Sequence, residues 1–167
     1  MNRSFFRGCI LSLIFVFSCN PDPKQPTSDL SYLPKDAQFF TQVNSWNTFK
    51  NKLEEEAILD YIQGEYINEK TAQNLSALLS LNTENKVLIG LYDKGRKEQD
   101  FLAITALDEQ YLELPFTLEQ SETYEQCNIK TYSSTTNSLY SIEIKNKLLI
   151  SSSRIIIEES CRAAGIW

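Results

Sequence analysis

Between residues 86 and 151 the chain is a succession of short apolar segments at β spacing, and this run constrains the fold most. Residues 86–92 and 100–107 flank a polar, glycine-containing stretch, residues 93–99, which predicts a hairpin. Residues 125–132, 138–145 and 147–151 predict three more strands, the last two joined around Asn146. Ahead of this run, Ala37, Phe39, Thr41 and Val43 share a face at period two, predicting a strand within residues 33–44. Ser45 is placed to cap a helix over residues 45–59, whose apolar stripe is Trp46, Phe49, Leu53 and Ala57. Gly64 interrupts the pattern. A second helix is predicted over residues 69–81, with Ala72, Leu75, Leu78 and Leu79 as its apolar face. Behind the strands, Ser152 or Ser153 is placed to cap a last helix from Arg154 to Ser160. The order β-α-α, several β, then α predicts an α+β domain: a mainly antiparallel sheet with helices on one face.

The first nineteen residues carry an address. Arg3 and Arg7 precede an apolar stretch over residues 8–17 that ends in Ser18 and Cys19. A basic start, a short apolar centre and a small residue before a cut make a secretory signal. The stretch is about half the roughly 20 residues that a spanning helix needs. Pro21, Pro23 and Pro26 stop any helix from continuing, since proline removes a donor and clashes with the preceding turn. Val16, Phe17, Ser18 and Cys19 resemble the lipobox of bacterial lipoproteins. That resemblance implies cleavage between Ser18 and Cys19, with acyl chains of the palmitate class on Cys19. Two or more buried chains give stable attachment, each methylene adding about 0.8 kcal/mol. An ordinary secretory signal and an uncleaved anchor are the alternatives.

The expected organisation is a signal peptide over residues 1–18, a lipid-anchored linker over 19–31 and an α+β domain over 32–167. The linker's prolines and polar residues keep it extended with little to bury. Three consecutive isoleucines, Ile155, Ile156 and Ile157, cannot share one stripe of a short helix, and little sequence follows them. The expectation is therefore a domain truncated at its C-terminus, with a last helix too short to bury much. Sixteen basic and 22 acidic side chains give a net charge of −6. Removing residues 1–18 takes Arg3 and Arg7 away and leaves −8. Such a body is repelled by anionic headgroups and offers no nucleic-acid surface. Cys127 and Cys161 remain beside Cys19. An oxidising compartment permits their disulfide, but nothing in the sequence brings them together, and two separate small side chains are the favoured reading.

Histidine is absent, which removes serine and cysteine nucleophiles paired with imidazole and His-ligated zinc. The five glycines have no phosphate-loop spacing. Glu54, Glu55 and Glu56 point about 100° apart on a helix, so they read as a solvated face, as do Glu158 and Glu159. Asp93, Glu98 and Asp100 surround the hairpin without calcium-loop spacing. Ser151, Ser152 and Ser153 have no adjacent base and read as a cap. The aromatics Phe39, Phe40, Trp46, Tyr92, Phe101, Tyr111, Phe116, Tyr132 and Tyr140 read as core before they read as a ligand-stacking platform. No catalytic, cofactor or metal residues emerge.

The lipobox, the proline-rich linker, the segment Tyr32-Leu-Pro-Lys-Asp-Ala37, the strand ending Val43-Asn44 and the Trp46/Phe49/Leu53 helix are together similar to the opening of a family. That family comprises large, uncharacterised envelope lipoproteins of the Bacteroidota. Residues 145–159, a strand running through serines into a helix, are similar to the middle of such chains. The resemblance implies a longer parent protein and carries over no catalytic residues. The expected function is a lipid-anchored cell-envelope protein, held to the outer membrane through Cys19, with a non-catalytic interaction or scaffold domain. An envelope protein or a glycan is the expected partner. The alternatives are a binding lipoprotein for a glycan or other ligand, and a hydrolase built on two carboxylates about 5–10 Å apart.

Overall fold

A computed structural model describes residues 28–55, 69–95, 98–107, 117–134 and 137–164. Ser18, Cys19, the linker up to residue 27, and Glu56, Ala57, Gly64, Tyr111 and Phe116 lie outside the described residues. Among the described residues no helix is long and apolar enough to cross a membrane.

A 3₁₀ turn, Asp29–Tyr32, comes first, then strand β1 (Phe39–Val43) and helix α1 (Trp46–Glu55). Helix α2 (Glu69–Leu79) leads to the hairpin β2 (Val87–Gly95) and β3 (Glu98–Ala106). Strands β4 (Thr117–Tyr124), β5 (Cys127–Ser133), β6 (Ser138–Ile144) and β7 (Lys147–Ser151) form a meander, and helix α3 (Arg154–Ala163) follows. They make one seven-stranded sheet in the order β1-β2-β3-β7-β6-β5-β4. Every neighbouring pair is antiparallel. The meander thus closes onto the hairpin by docking β7 against β3, with Ile104 opposite Leu149 and Ala103 opposite Ile150.

Helices cover both faces of this sheet, which corrects the one-face expectation. One core joins Leu88, Leu102, Ile104, Ile142 and Leu149 to Tyr32 of the 3₁₀ turn and to Ile156, Ile157 and Cys161 of α3. The other joins Val87, Ile89, Phe101, Ala103, Leu148 and Ile150 to Trp46 of α1 and to Ala77, Leu78 and Leu79 of α2. The cause lies in the strands. Val87 to Gly90, Asp100 to Thr105 and Leu148 to Ser151 are buried without a break. A continuous apolar run has no wet face, so each side of the sheet needs a cover.

Four other differences have identifiable causes. Strand β4 has no signal in the sequence, because Thr117-Leu-Glu-Gln-Ser-Glu-Thr-Tyr124 has no apolar alternation; it exists through seven paired positions on β5. Residues 28–31 belong to the folded body, since Asp29 accepts ion pairs from Lys86 (3.1 Å) and Lys147 (2.8 Å). Helix α3 runs ten residues and buries Ile156, Ile157, Ser160 and Cys161, more than the short last helix expected from the sequence. The three isoleucines do divide, with Ile155 65% exposed while its two successors are buried. Finally, Cys127 and Cys161 form a disulfide across a sequence separation of 34, with Cα atoms 6.3 Å apart. The favoured reading of two separate thiols fails because Cys127 of β5 lies in the same core as Cys161, on the sheet face that α3 covers.

In α1 the predicted stripe is graded. Trp46 is 1% exposed and its indole Nε1–H donates to the carbonyl of Leu81 at 3.0 Å. Leu53 is half-buried and Phe49 lies against Trp46 at the surface, their rings 5.7 Å apart.

Candidate functional site

The serine run is a structural corner. Ser151 Oγ donates to the carbonyl of Phe101 and accepts from the Ser153 amide. Ser152 Oγ donates to Asp100 Oδ1 at 2.9 Å and accepts from the Phe101 amide at 3.1 Å. Ser153 stands before α3 at the N-cap position, without a side-chain cap bond. These bonds hold the β7–α3 junction against β3, so the hydroxyls are engaged where the chain turns.

The acidic residues of the β2–β3 hairpin separate. Asp93 accepts from the Gly95 amide (2.8 Å) and from Gln38 Nε2 (3.2 Å). Gly95 has φ +80, a left-handed conformation that glycine adopts without a Cβ clash, which suits the turn. Asp100 is the one buried carboxylate among the described residues, at 5% exposure. It is satisfied by Ser152, by Asn74 Nδ2 at 3.5 Å and by the Lys94 ammonium at 3.5 Å. Among the described residues no group of three or more Cys, Asp or Glu could hold a metal ion. The side chains of Glu54 and Glu55 lie outside the described set.

The aromatics divide between core and surface. Trp46, Tyr92 and Phe101 are buried, Tyr132 and Tyr140 half-buried, and Phe39 and Phe40 exposed on edge strand β1. Among the described residues, Tyr140 and Tyr132 pack against different cores, so these two do not share one stacking surface.

What the fold does assemble is a surface cleft of about 640 Å³ between the N-terminal turn and α3. Leu30, Ser31, Leu33, Pro34, Lys35 and Asp36 form one wall; Glu159, Arg162 and Ala163 form the other. Helical spacing explains the second wall. Ile156, Ile157, Ser160 and Cys161 face the sheet, so Glu159, Arg162 and Ala163 fall beside them on the outer side. The 3₁₀ turn is fixed by Tyr32 in the core and by Asp29 between two lysines, so the segment that follows it is carried across the end of α3. Arg162 is held over the Tyr124 ring, 5.8 Å from its centroid. By contrast Glu158, one residue from the cleft, is taken by Arg154 Nε at 2.8 Å, and Arg154 also pairs with Glu122 of β4.

Tyr92 stands behind the first wall. Its hydroxyl is buried and has no hydrogen-bond partner among the described residues. A Cβ added to Gly90 would lie 3.1 Å from Leu33 Cδ2 and 3.2 Å from the Tyr92 hydroxyl, so the ring rests on Gly90 beneath Leu33. Burial first, then the charges of Glu159 and Asp36, raise the hydroxyl's pKa far above the phenolic value of 10.0. The sequence marks none of Lys35, Asp36 and Arg162 as a site; Tyr92 reads there as core and Glu159 as a solvated face. Their only shared signal is tertiary.

Compared with protein-family models, curated proteins and solved structures, the chain finds no match in any of the three.

Proposed function

We propose that this is a lipid-anchored protein of the bacterial cell envelope, attached through Cys19 and carrying a non-catalytic interaction or scaffold domain. The placement at the outer membrane, and descent from the large Bacteroidota envelope lipoproteins that the opening resembles, belong to the same proposal. The observation that carries it is the Cys127–Cys161 disulfide. Disulfides form and persist in oxidising compartments and are rare where glutathione and thioredoxin keep thiols reduced. Its presence supports export, which is also what the basic start, apolar centre and Ser18-Cys19 ending of residues 1–19 imply. A net charge of −8 after processing supports attachment by lipid rather than by adsorption of the body to anionic headgroups. The interaction role rests on how the described polar side chains are used: Asp100 and the serines at the β7–α3 junction hold elements together.

The test is metabolic labelling. Labelled palmitate fed to the producing cell should enter the wild-type chain and fail to enter Cys19→Ala, which should also leave the membrane fraction. Equal labelling of the two would reject the lipoprotein reading. A second reading, a binding lipoprotein, is favoured by the cleft between the N-terminal turn and α3.

A further inference from the structure

The sheet ends in two unlike edges. Strand β4 closes one end and strand β1 the other, each paired with a single neighbour among the described residues. An edge strand leaves a row of N–H and C=O groups turned outward, and another chain can pair with them unless charges, bulges or proline interrupt the row. Strand β4 has such interruptions: Glu119 and Glu122 lie along it, and its register shifts between Leu118 and Gln120. Strand β1, Phe39-Phe40-Thr41-Gln42-Val43, has none. It carries no charge and no proline, and its five residues pair with Leu91 to Val87 of β2 without a register shift. Phe39 and Phe40 point to opposite faces of the sheet, yet both are more than half exposed, at 56% and 55%.

A second copy of the same strand fits this edge. A two-fold axis through Thr41 sets Phe39 opposite the partner's Val43, Phe40 opposite the partner's Gln42, and Thr41 opposite the partner's Thr41. Aromatic against β-branched and threonine against threonine are among the cross-strand pairs that stabilise antiparallel strands. No charge meets a like charge in this register, which matters for a chain of net charge −6. Gln38 falls opposite the partner's Asn44, and the nearest charges, Lys35 and Asp36, lie beyond the paired residues. Such pairing also stops at two copies. The contact is isologous, so it uses β1 of both chains, and the edges that remain are two copies of the interrupted β4.

We propose that β1 is a self-association strand: two copies of this chain pair antiparallel through Phe39–Val43 about a two-fold axis at Thr41, joining their seven-stranded sheets into one. The inference rests on the interaction reading, whose partner it names, and does not depend on the lipid on Cys19.

The experiment is oxidative cross-linking of the full-length protein in the cells that produce it, read as a band of twice the chain mass on non-reducing gels. The Cys127–Cys161 bridge is internal and buried, so wild type supplies the blank. Thr41→Cys should link to its own copy, because residues directly opposite on antiparallel strands have Cα atoms about 4.5–5.5 Å apart, within disulfide reach. Val43→Cys, on the same face, should not, since its own copy would sit four residues along the strand, about 13 Å away. Thr123→Cys, exposed on β4, should not link either. Charge then tests the register in the Thr41→Cys background. Phe40→Lys with Gln42→Lys sets lysine against lysine in both flanking pairs and should cut the yield about fivefold or more. Phe40→Lys with Gln42→Glu sets lysine against glutamate and should restore it. Both replaced side chains are exposed, and matching thermal melts of the two variants show that the fold is intact. Thr41→Cys that stays monomeric, or equal yields from the three cysteine variants, would overturn the proposal. A Thr41→Cys product of any other mass would place a different protein on β1 and overturn it too, as would equal yields from the two charge variants. Palmitate labelling retained through such a failure rejects the self-pairing and leaves the envelope reading in place.

Discussion

Single side chains here are pinned by charge and by the absence of water. Asp29 is the clearest case. Burial alone would raise its carboxyl pKa, but hydrogen bonds from Lys147 and Lys86 outweigh that and hold it below the ordinary 3.8. A carboxyl with a lowered folded-state pKa adds stability above its unfolded value, about 3.9, and loses it as pH falls through the folded value. Asp29→Asn should therefore cost about 1 kcal/mol at pH 7, a figure reduced by the exposure of Lys86, and the gap from wild type should shrink below pH 4. Urea midpoints at pH 7 and pH 3 measure it; a gap that stays constant would show that the ion pairs contribute nothing. Tyr92 works in the other direction. Its unpartnered hydroxyl makes Tyr92→Phe neutral or stabilising by up to about 1 kcal/mol in the free protein, read as an unchanged or raised melting temperature. A clear loss of stability would mean that the hydroxyl has a partner after all.

Among the elements, α3 is fastened most heavily. The disulfide ties it to β5, Arg154 ties it to Glu122 on β4, and Ile156 and Ile157 enter the core. Cross-linking residues separated by 34 positions removes loop entropy from the unfolded chain worth about 3–4 kcal/mol. Cys127→Ser with Cys161→Ser should lower the denaturation midpoint accordingly, and reduction of the wild type should reproduce the effect. A double variant as stable as the oxidised wild type would indicate that the two cysteines do not pair. Strand β4 lies at the other extreme. Its residues are exposed or half-buried, and it sits at the sheet edge with Glu119 and Glu122 along it, charges of the kind that protect an edge from pairing with another chain. Its polar composition explains why it was not legible: the strand is defined by hydrogen bonds to β5, not by a face to bury. Strands β6 and β7 were legible almost to the residue, because alternating or continuous apolar side chains and the Asn146 turn mark them locally.

At the scale of the molecule, one sheet serves two cores, and this is testable with neighbours in sequence. Leu149 faces the α3 side and Ile150 the α1–α2 side, both essentially inaccessible to solvent. Leu149→Ala and Ile150→Ala should each cost about 2–5 kcal/mol, measured as shifts of the denaturation midpoint at constant slope. If helices covered only one face, one of the two would be nearly free. The sequence by itself determined the class, α+β with a mainly antiparallel sheet, because period and turn chemistry are local properties read over a few residues. It also held the sign of two-sided burial in the unbroken apolar runs of β2, β3 and β7, although the helices were expected on one face. Only the tertiary structure decided which strands are neighbours, that β7 closes onto β3, that Cys127 meets Cys161, and that Asp36 and Glu159 border one cleft. Cys127 and Cys161 are 34 positions apart in the chain, Ile104 and its partner Leu149 are 45 apart, and Asp36 and Glu159 are 123 apart. No periodicity spans such distances; they are set by which apolar faces bury each other best once the elements have formed.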